Sequence, residues 1–90
     1  MKIVFTPEAA AHIDYWRAKD EKMLQKIKSL LAAIQVAPFT GIGKPEPLRF
    51  GLSGYWSRRI RKDHRLVYRI SGAGDRQVCE VYSCRFHYET

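Results

Sequence analysis

Ninety residues bound the chain to a single domain, here taken as residues 1–90. With 46% hydrophobic, 12% aromatic and 28% charged residues the composition excludes an intrinsically disordered chain. No stretch is apolar enough to span a membrane and the N-terminal run is too short for a signal peptide, so a cytoplasmic chain without a membrane partner is expected. The net charge of +7 bears on partners rather than on fold, and it is concentrated. Residues 44–69 hold 8 Lys and Arg against 2 acids, a net of +6. Tyr55, Trp56 and Tyr68 interleave with these bases, as in a nucleic-acid footprint where aromatics stack on bases. The plainer alternative is a solvated face that keeps the protein soluble.

In chain order, Lys2–Phe5 is a short apolar run that predicts a strand. Thr6-Pro7-Glu8 then has the form of a helix start: a capping hydroxyl, proline at the first helical position and an acid in the first turn. Ala9, Ile13 and Trp16 mark its inner face. Asp20 or Glu21 opens a second helix, in which Met23, Leu24, Ile27, Leu30, Leu31 and Ile34 follow helical spacing. Lys22, Lys26 and Lys28 lie mostly off that face, and Pro38 ends it. Residues 37–47 form a loop rich in glycine and proline.

The period then changes to two. Tyr55–Arg61 is a strand, Lys62-Asp63 a hairpin turn, His64–Ser71 a strand, residues 72–75 a turn and Arg76–Tyr88 a long final strand; a further short strand near Leu48 fits the pattern. Cys79 and Cys84, five apart on that last strand, are expected roughly 16 Å apart on opposite faces, as reduced packing residues. The fold class is α+β, in the order β-α-α-β-β-β. Two N-terminal helices cover one face of a mostly antiparallel, twisted sheet, and the basic residues take the other face.

Glu46 stands in a Lys-Pro-Glu-Pro segment, where two prolines restrict the backbone that aims its carboxylate. It is either a loop acid that moderates charge or a base facing a proton donor. His87 is the candidate donor, since imidazole titrates nearest neutrality. His12 is expected to pack against the first helix's neighbours or lie at the surface, and His64 to begin a strand in either role. Among Arg58, Arg59, Arg61, Arg65 and Arg69, alternation puts Arg59 with Arg61 and Arg65 with Arg69, while Arg58 points to the opposite face unless a bulge intervenes. Guanidinium groups fork onto phosphate oxygens, and one or two can stabilise a pentavalent phosphorane. No set of metal ligands at suitable spacing occurs and no cofactor is expected. This kit suits metal-free RNA cleavage, in which the 2′-hydroxyl attacks the adjacent phosphate to leave a 2′,3′-cyclic phosphate and a 5′-hydroxyl. DNA lacks the attacking group.

The stretches "YW" at 15–16, "PF" at 38–39, "GKPEPL" at 43–48, "LSGYWSRRI" at 52–60, "HRLVY" at 64–68 and "HY" at 87–88 occur in an order that resembles the YoeB/Txe toxins of the RelE/ParE superfamily. The resemblance covers nearly the whole chain. It implies a microbial-ribonuclease-like fold and the toxin of a bacterial type II toxin–antitoxin pair, an endoribonuclease that enters the ribosomal A site and cuts the mRNA there, halting translation. It implies Glu46 as general base, His87 as general acid, Arg65 as the transition-state arginine supported by Arg59, and Tyr88 as a substrate-orienting residue. Lys44, Arg49, Arg58, Arg61, Lys62 and Arg69 are then expected to hold RNA or ribosome, Arg49 standing where the family often has lysine. Glu89 and Thr90 follow the His-Tyr pair at which family chains often stop, an added carboxylate that bears on the rate. The partners implied are mRNA, the 70S ribosome and an acidic antitoxin; a homodimer is compatible. Two other functions fit parts of the pattern: a ParE-like toxin that inhibits DNA gyrase, a group that generally lacks this Glu/His pair, and a non-catalytic nucleic-acid-binding module, which gives Glu46 no task.

Overall fold

Thr6 and Asp20 set the first half of the fold. Thr6 Oγ1 accepts from the Ala9 N–H at 3.1 Å and donates to the Tyr82 carbonyl at 3.0 Å, so one hydroxyl caps a helix and ties it to the sheet. Asp20 closes the first helix through its own N–H to Trp16 O and opens the second by accepting from Lys22 and Met23. One residue thus serves as C-cap and N-cap, which makes the turn between the helices sharp. The computed structural model describes residues 1–86. In it the elements are β1 (Lys2–Phe5), α1 (Pro7–Lys19), α2 (Glu21–Val36), β2 (Glu46–Pro47), β3 (Trp56–Arg61), β4 (His64–Ser71) and β5 (Val78–Ser83), with 3-10 turns at Phe50–Leu52 and Gly74–Arg76.

The strands form one sheet in the order β1-β5-β4-β3-β2. Among the described residues, β1 pairs with β5 in parallel and the other three pairings are antiparallel. The α-helical spacing of α2 is realised: Met23, Leu24, Ile27, Leu30 and Ile34 are buried against Ile60, Leu66, Tyr68, Cys79 and Val81 of the sheet, and Leu31 packs at the edge. On α1 the buried strip is Ala9, His12 and Trp16, with Ile13 at its margin, so His12 takes the packing role. Among the described residues, no helix is long and apolar enough to cross a membrane.

Three expectations change. The final strand covers Val78–Ser83 rather than Arg76–Tyr88. The 3-10 turn occupies its predicted start, and beyond Ser83 the ladder is replaced by side chains of α1: Cys84 N–H donates to His12 Nδ1, and Cys84 O accepts from Trp16 Nε1. Because the strand ends there, Cys84 turns back and joins Cys79 in the same core, where burial pushes the two thiols up to about 12 and about 11. The short strand near Leu48 lies at Glu46–Pro47, and β3 begins at Trp56, one residue after the predicted start.

The third change concerns Arg58, expected at a nucleic-acid surface. It is 0% exposed. Its inward direction follows from alternation, and α2 lies on that side. The guanidinium donates to Tyr68 Oη (3.1 Å), Ile42 O (3.0 Å), Ala37 O (2.7 Å) and Thr40 O (2.9 Å), while Tyr68 Oη donates to Pro38 O (2.7 Å). It is the fastening of the 37–42 loop: four of its five N–H donors are spent there, and burial keeps the group away from phosphate. Gly43 completes this fastening at φ +84°, its carbonyl accepting from Arg59 N–H. A Cβ there would lie 2.9 Å from Leu30 Cδ2, 3.1 Å from Arg58 Cβ and 3.2 Å from Arg59 O. Gly43→Ala is therefore expected to destabilise the chain by about 1–3 kcal/mol in urea unfolding, through both left-handed backbone and crowding.

Candidate active site

The helices cover one face of the sheet, so alternation assigns the other face. On β4 it falls to Arg65, Val67 and Arg69, because Leu66, Tyr68 and Ile70 point into the core. The β3–β4 register places Arg59 opposite Arg65 and Ser57 opposite Val67, and the β2–β3 register places Glu46 opposite Ser57. Three neighbouring strands thus bring Glu46, Arg59 and Arg65 to one open surface. Two arginines directly across from each other repel, and such a pair is retained at a cost unless an anion is shared between them.

Arg65 is the best-defined group of the site. Its side chain is only 12% exposed, and its Nη1 lies 3.5 Å from Glu46 Oε1, an ion pair longer than a hydrogen bond. Its Nε is buried and meets no acceptor among the described residues. Its Nη1 meets Glu46 only beyond hydrogen-bond distance, which keeps that donor for an incoming oxyanion. Glu46 is 53% exposed, with its backbone set between Pro45 and Pro47. Its carboxylate is therefore reachable from solvent while its backbone position is fixed. Among the described residues, no group of three or more His, Cys, Asp or Glu side chains gathers to hold a metal ion.

Further along the same face Arg69 lies over the ring of Tyr55 (5.2 Å) and 3.3 Å from Glu80, while Tyr55 meets the ring of Tyr82 at 5.4 Å. This aromatic and cationic patch lies on the same face as the arginine pair, with buried Ser57 and Val67 between them. Tyr55 and Arg69 are visible in the basic, aromatic run of the sequence; Tyr82 lies outside that run, and its signal is period-two alternation from Glu80.

The remaining basic residues divide. Lys44 and Arg49 are exposed on either side of β2, Lys44 with a left-handed φ of +51°, and Lys62 is exposed in the β3–β4 turn. Arg61 does not share the site with Arg59. The register shifts between them, and Arg61 lies 3.5 Å from Asp20, the residue that caps α2. The bulge overrides strict alternation and turns this arginine toward the helical layer. Arg58 belongs to the core, as described. His87 and Tyr88 lie outside the described residues. The other two histidines are both held below the usual imidazole range, chiefly by burial; Glu8 opposes this at His12 and Asp63 at His64, whereas Arg85 adds to it at both and Arg61 at His64.

Residues 5–88 match the family model of the YoeB-like toxin of bacterial type II toxin–antitoxin systems. A toxin YoeB of Synechocystis is 53% identical over 90 residues, which is 99% of each chain. A YoeB/ParE toxin from Agrobacterium tumefaciens superposes with a TM-score of 0.93 at 48% identity, covering 98% of this chain and 100% of that one. YoeB of Staphylococcus aureus, solved as a dimer and as a heterotetrameric complex with YefM, superposes with a TM-score of 0.85 at 42% identity over 98% of each chain. A shared fold, near-complete coverage in both directions and this level of identity lead to one conclusion: the chain belongs to the YoeB-like toxins of bacterial type II toxin–antitoxin systems.

Proposed function

We propose that this toxin is a ribosome-dependent mRNA endonuclease acting in the cytoplasm. The observation that carries the proposal is the single open face on which Arg65 and Arg59 oppose each other with the Glu46 carboxylate 3.5 Å from Arg65. A phosphodiester bound between the arginines presents its ribose to Glu46. Glu46 takes the 2′-hydroxyl proton, and the oxygen attacks the adjacent phosphorus. Arg65 and Arg59 stabilise the extra negative charge of the phosphorane. His87 gives its proton to the departing 5′-oxygen, leaving a 2′,3′-cyclic phosphate and a 5′-hydroxyl, and Tyr88 orients the substrate. Proton count balances: one is taken at Glu46 and one is released at His87. Tyr55, Tyr82 and Arg69 offer stacking and charge to flanking nucleotides, with Lys44, Arg49 and Lys62 as outer phosphate contacts.

The ribosome is needed in this reading because half-exposed Glu46 and an open sheet face do not by themselves hold a flexible strand in line for attack. An acidic antitoxin covers the same basic surface, as YefM partners the Staphylococcus aureus toxin, and a homodimer is the form proposed for the free protein. The test is to incubate purified protein with programmed ribosomes and, separately, with the same message naked, and to map the new ends. Cuts confined to the A-site codon, bearing cyclic phosphate and appearing only with ribosomes, are expected. Equal cutting of naked message sinks the ribosome requirement, and salt-dependent RNA binding with no cutting sinks the enzyme.

A further inference from the structure

The segment leaving β5 is held by side chains where a strand partner is lost. Trp16 Nε1 donates to Cys84 O at 2.8 Å, and the Cys84 N–H donates to His12 Nδ1 at 3.2 Å. Two residues on, the Phe86 N–H donates to His64 Nδ1 at 2.9 Å, and Phe86 O accepts from the Arg65 N–H at 2.9 Å. The ring of His64 meets Trp16 edge to face at 4.8 Å, which fixes its plane. Between the two anchors, the Arg85 guanidinium lies 3.5 Å from the centre of the Tyr15 ring.

Two features mark this arrangement as a held one. Phe86 sits at φ +75°, a left-handed conformation that a bulky residue adopts only when its surroundings hold it there. Here the holding groups are the imidazole of His64 and the backbone of Arg65, adjacent residues of β4. Moreover, an imidazole accepts at Nδ1 only when neutral with its proton on Nε2, and burial favours the neutral form at both histidines.

We infer that His64 is a positioning residue: its Nδ1 pins the backbone from which residue 87 departs to the strand that carries Arg65. The inference rests on the endonuclease reading, in which His87 is the general acid. The Phe86 peptide, which precedes the acid in sequence, is bonded to His64 and Arg65 together, so a change at His64 reaches the acid through one covalent link. A loosened pin leaves the substrate contacts of Arg59, Arg65 and Arg69 in place and misplaces the proton donor.

The experiment compares His64→Gln with His64→Asn. Asparagine sets its carbonyl oxygen near the Nδ1 position, whereas glutamine carries it one methylene away. His64→Gln is expected to lower kcat on ribosome-bound message by about 10–100-fold with KM unchanged, and His64→Asn to restore most of the loss. In a His87→Gln background, His64→Gln should add no further loss, because it acts through that acid. In the free protein, the Phe86 amide should be protected from hydrogen exchange in wild type and His64→Asn and unprotected in His64→Gln. A His64→Gln protein that cuts as fast as wild type, a His64→Asn protein as slow as His64→Gln, or a further loss on top of His87→Gln overturns the positioning role. If wild type itself leaves the message intact, the endonuclease reading falls and takes the catalytic consequence with it, while protection of the Phe86 amide still decides whether the pin exists.

Discussion

Glu46→Gln is expected to slow cleavage of ribosome-bound message by about 10²–10⁴-fold, the range removed with a general base. The carboxamide has the shape of the carboxylate and still accepts a hydrogen bond, but it cannot take a proton at working pH. Its backbone stays where Pro45, Pro47 and the pairing of Glu46 with Ser57 put it. The stability cost should be small, because a half-exposed ion pair at 3.5 Å contributes only about 0–1 kcal/mol. Removing a negative charge beside Arg65 and Arg59 also leaves phosphate binding unchanged or tighter. The loss therefore belongs in kcat, with KM steady or lower. Single-turnover cleavage on programmed ribosomes separates the outcomes. A variant as fast as wild type removes Glu46 from the chemistry. A variant with raised KM and unchanged kcat makes it a binding group instead.

Much of the layout of these residues is legible in the sequence. The Lys-Pro-Glu-Pro segment, the bases after it and period two along His64–Ser71 were enough to pair Arg65 with Arg69 and to send Arg58 the other way. The helices were placed by caps and by the spacing of Met23 to Ile34, all short-range signals. What escaped depends on contacts distant in sequence. Nothing local says that the strand after Val78 ends at Ser83, since the competing partners are His12 and Trp16, about seventy positions earlier. Nothing local says that Arg61 turns toward Asp20. The three arginines of Ser57-Arg58-Arg59-Ile60-Arg61 look alike in sequence, although one lies in the core, one in the site and one beside a helix cap. Alternation pointed Arg58 inward, yet charge argued for the surface. The loop carbonyls of Ala37, Thr40 and Ile42, which make burial tolerable, have no signature in the sequence.

Those carbonyls define the largest stability effect expected from one substitution. Arg58→Met should destabilise the fold by about 3–5 kcal/mol, a large part of what a domain of this size possesses. Methionine fills much of the volume and carries no charge, so the loss isolates the hydrogen bonds. Three carbonyls and the Tyr68 hydroxyl lose a charged donor, and the loop that leads to Glu46 loses its fastening. Arg58→Lys should fare little better, because a single ammonium cannot span acceptors arranged around a planar fork. Arg59→Met is the control. It lies one residue along the same strand but is exposed, and removing it relieves repulsion from Arg65, so its effect should stay within about 0.5 kcal/mol. Urea unfolding of the three variants and wild type at one pH makes the comparison. An Arg58→Met protein within about 1 kcal/mol of wild type would show that the loop carbonyls find other donors when the guanidinium is gone. A large loss at Arg58 with none at Arg59 would divide the basic run between fold and site at one peptide bond.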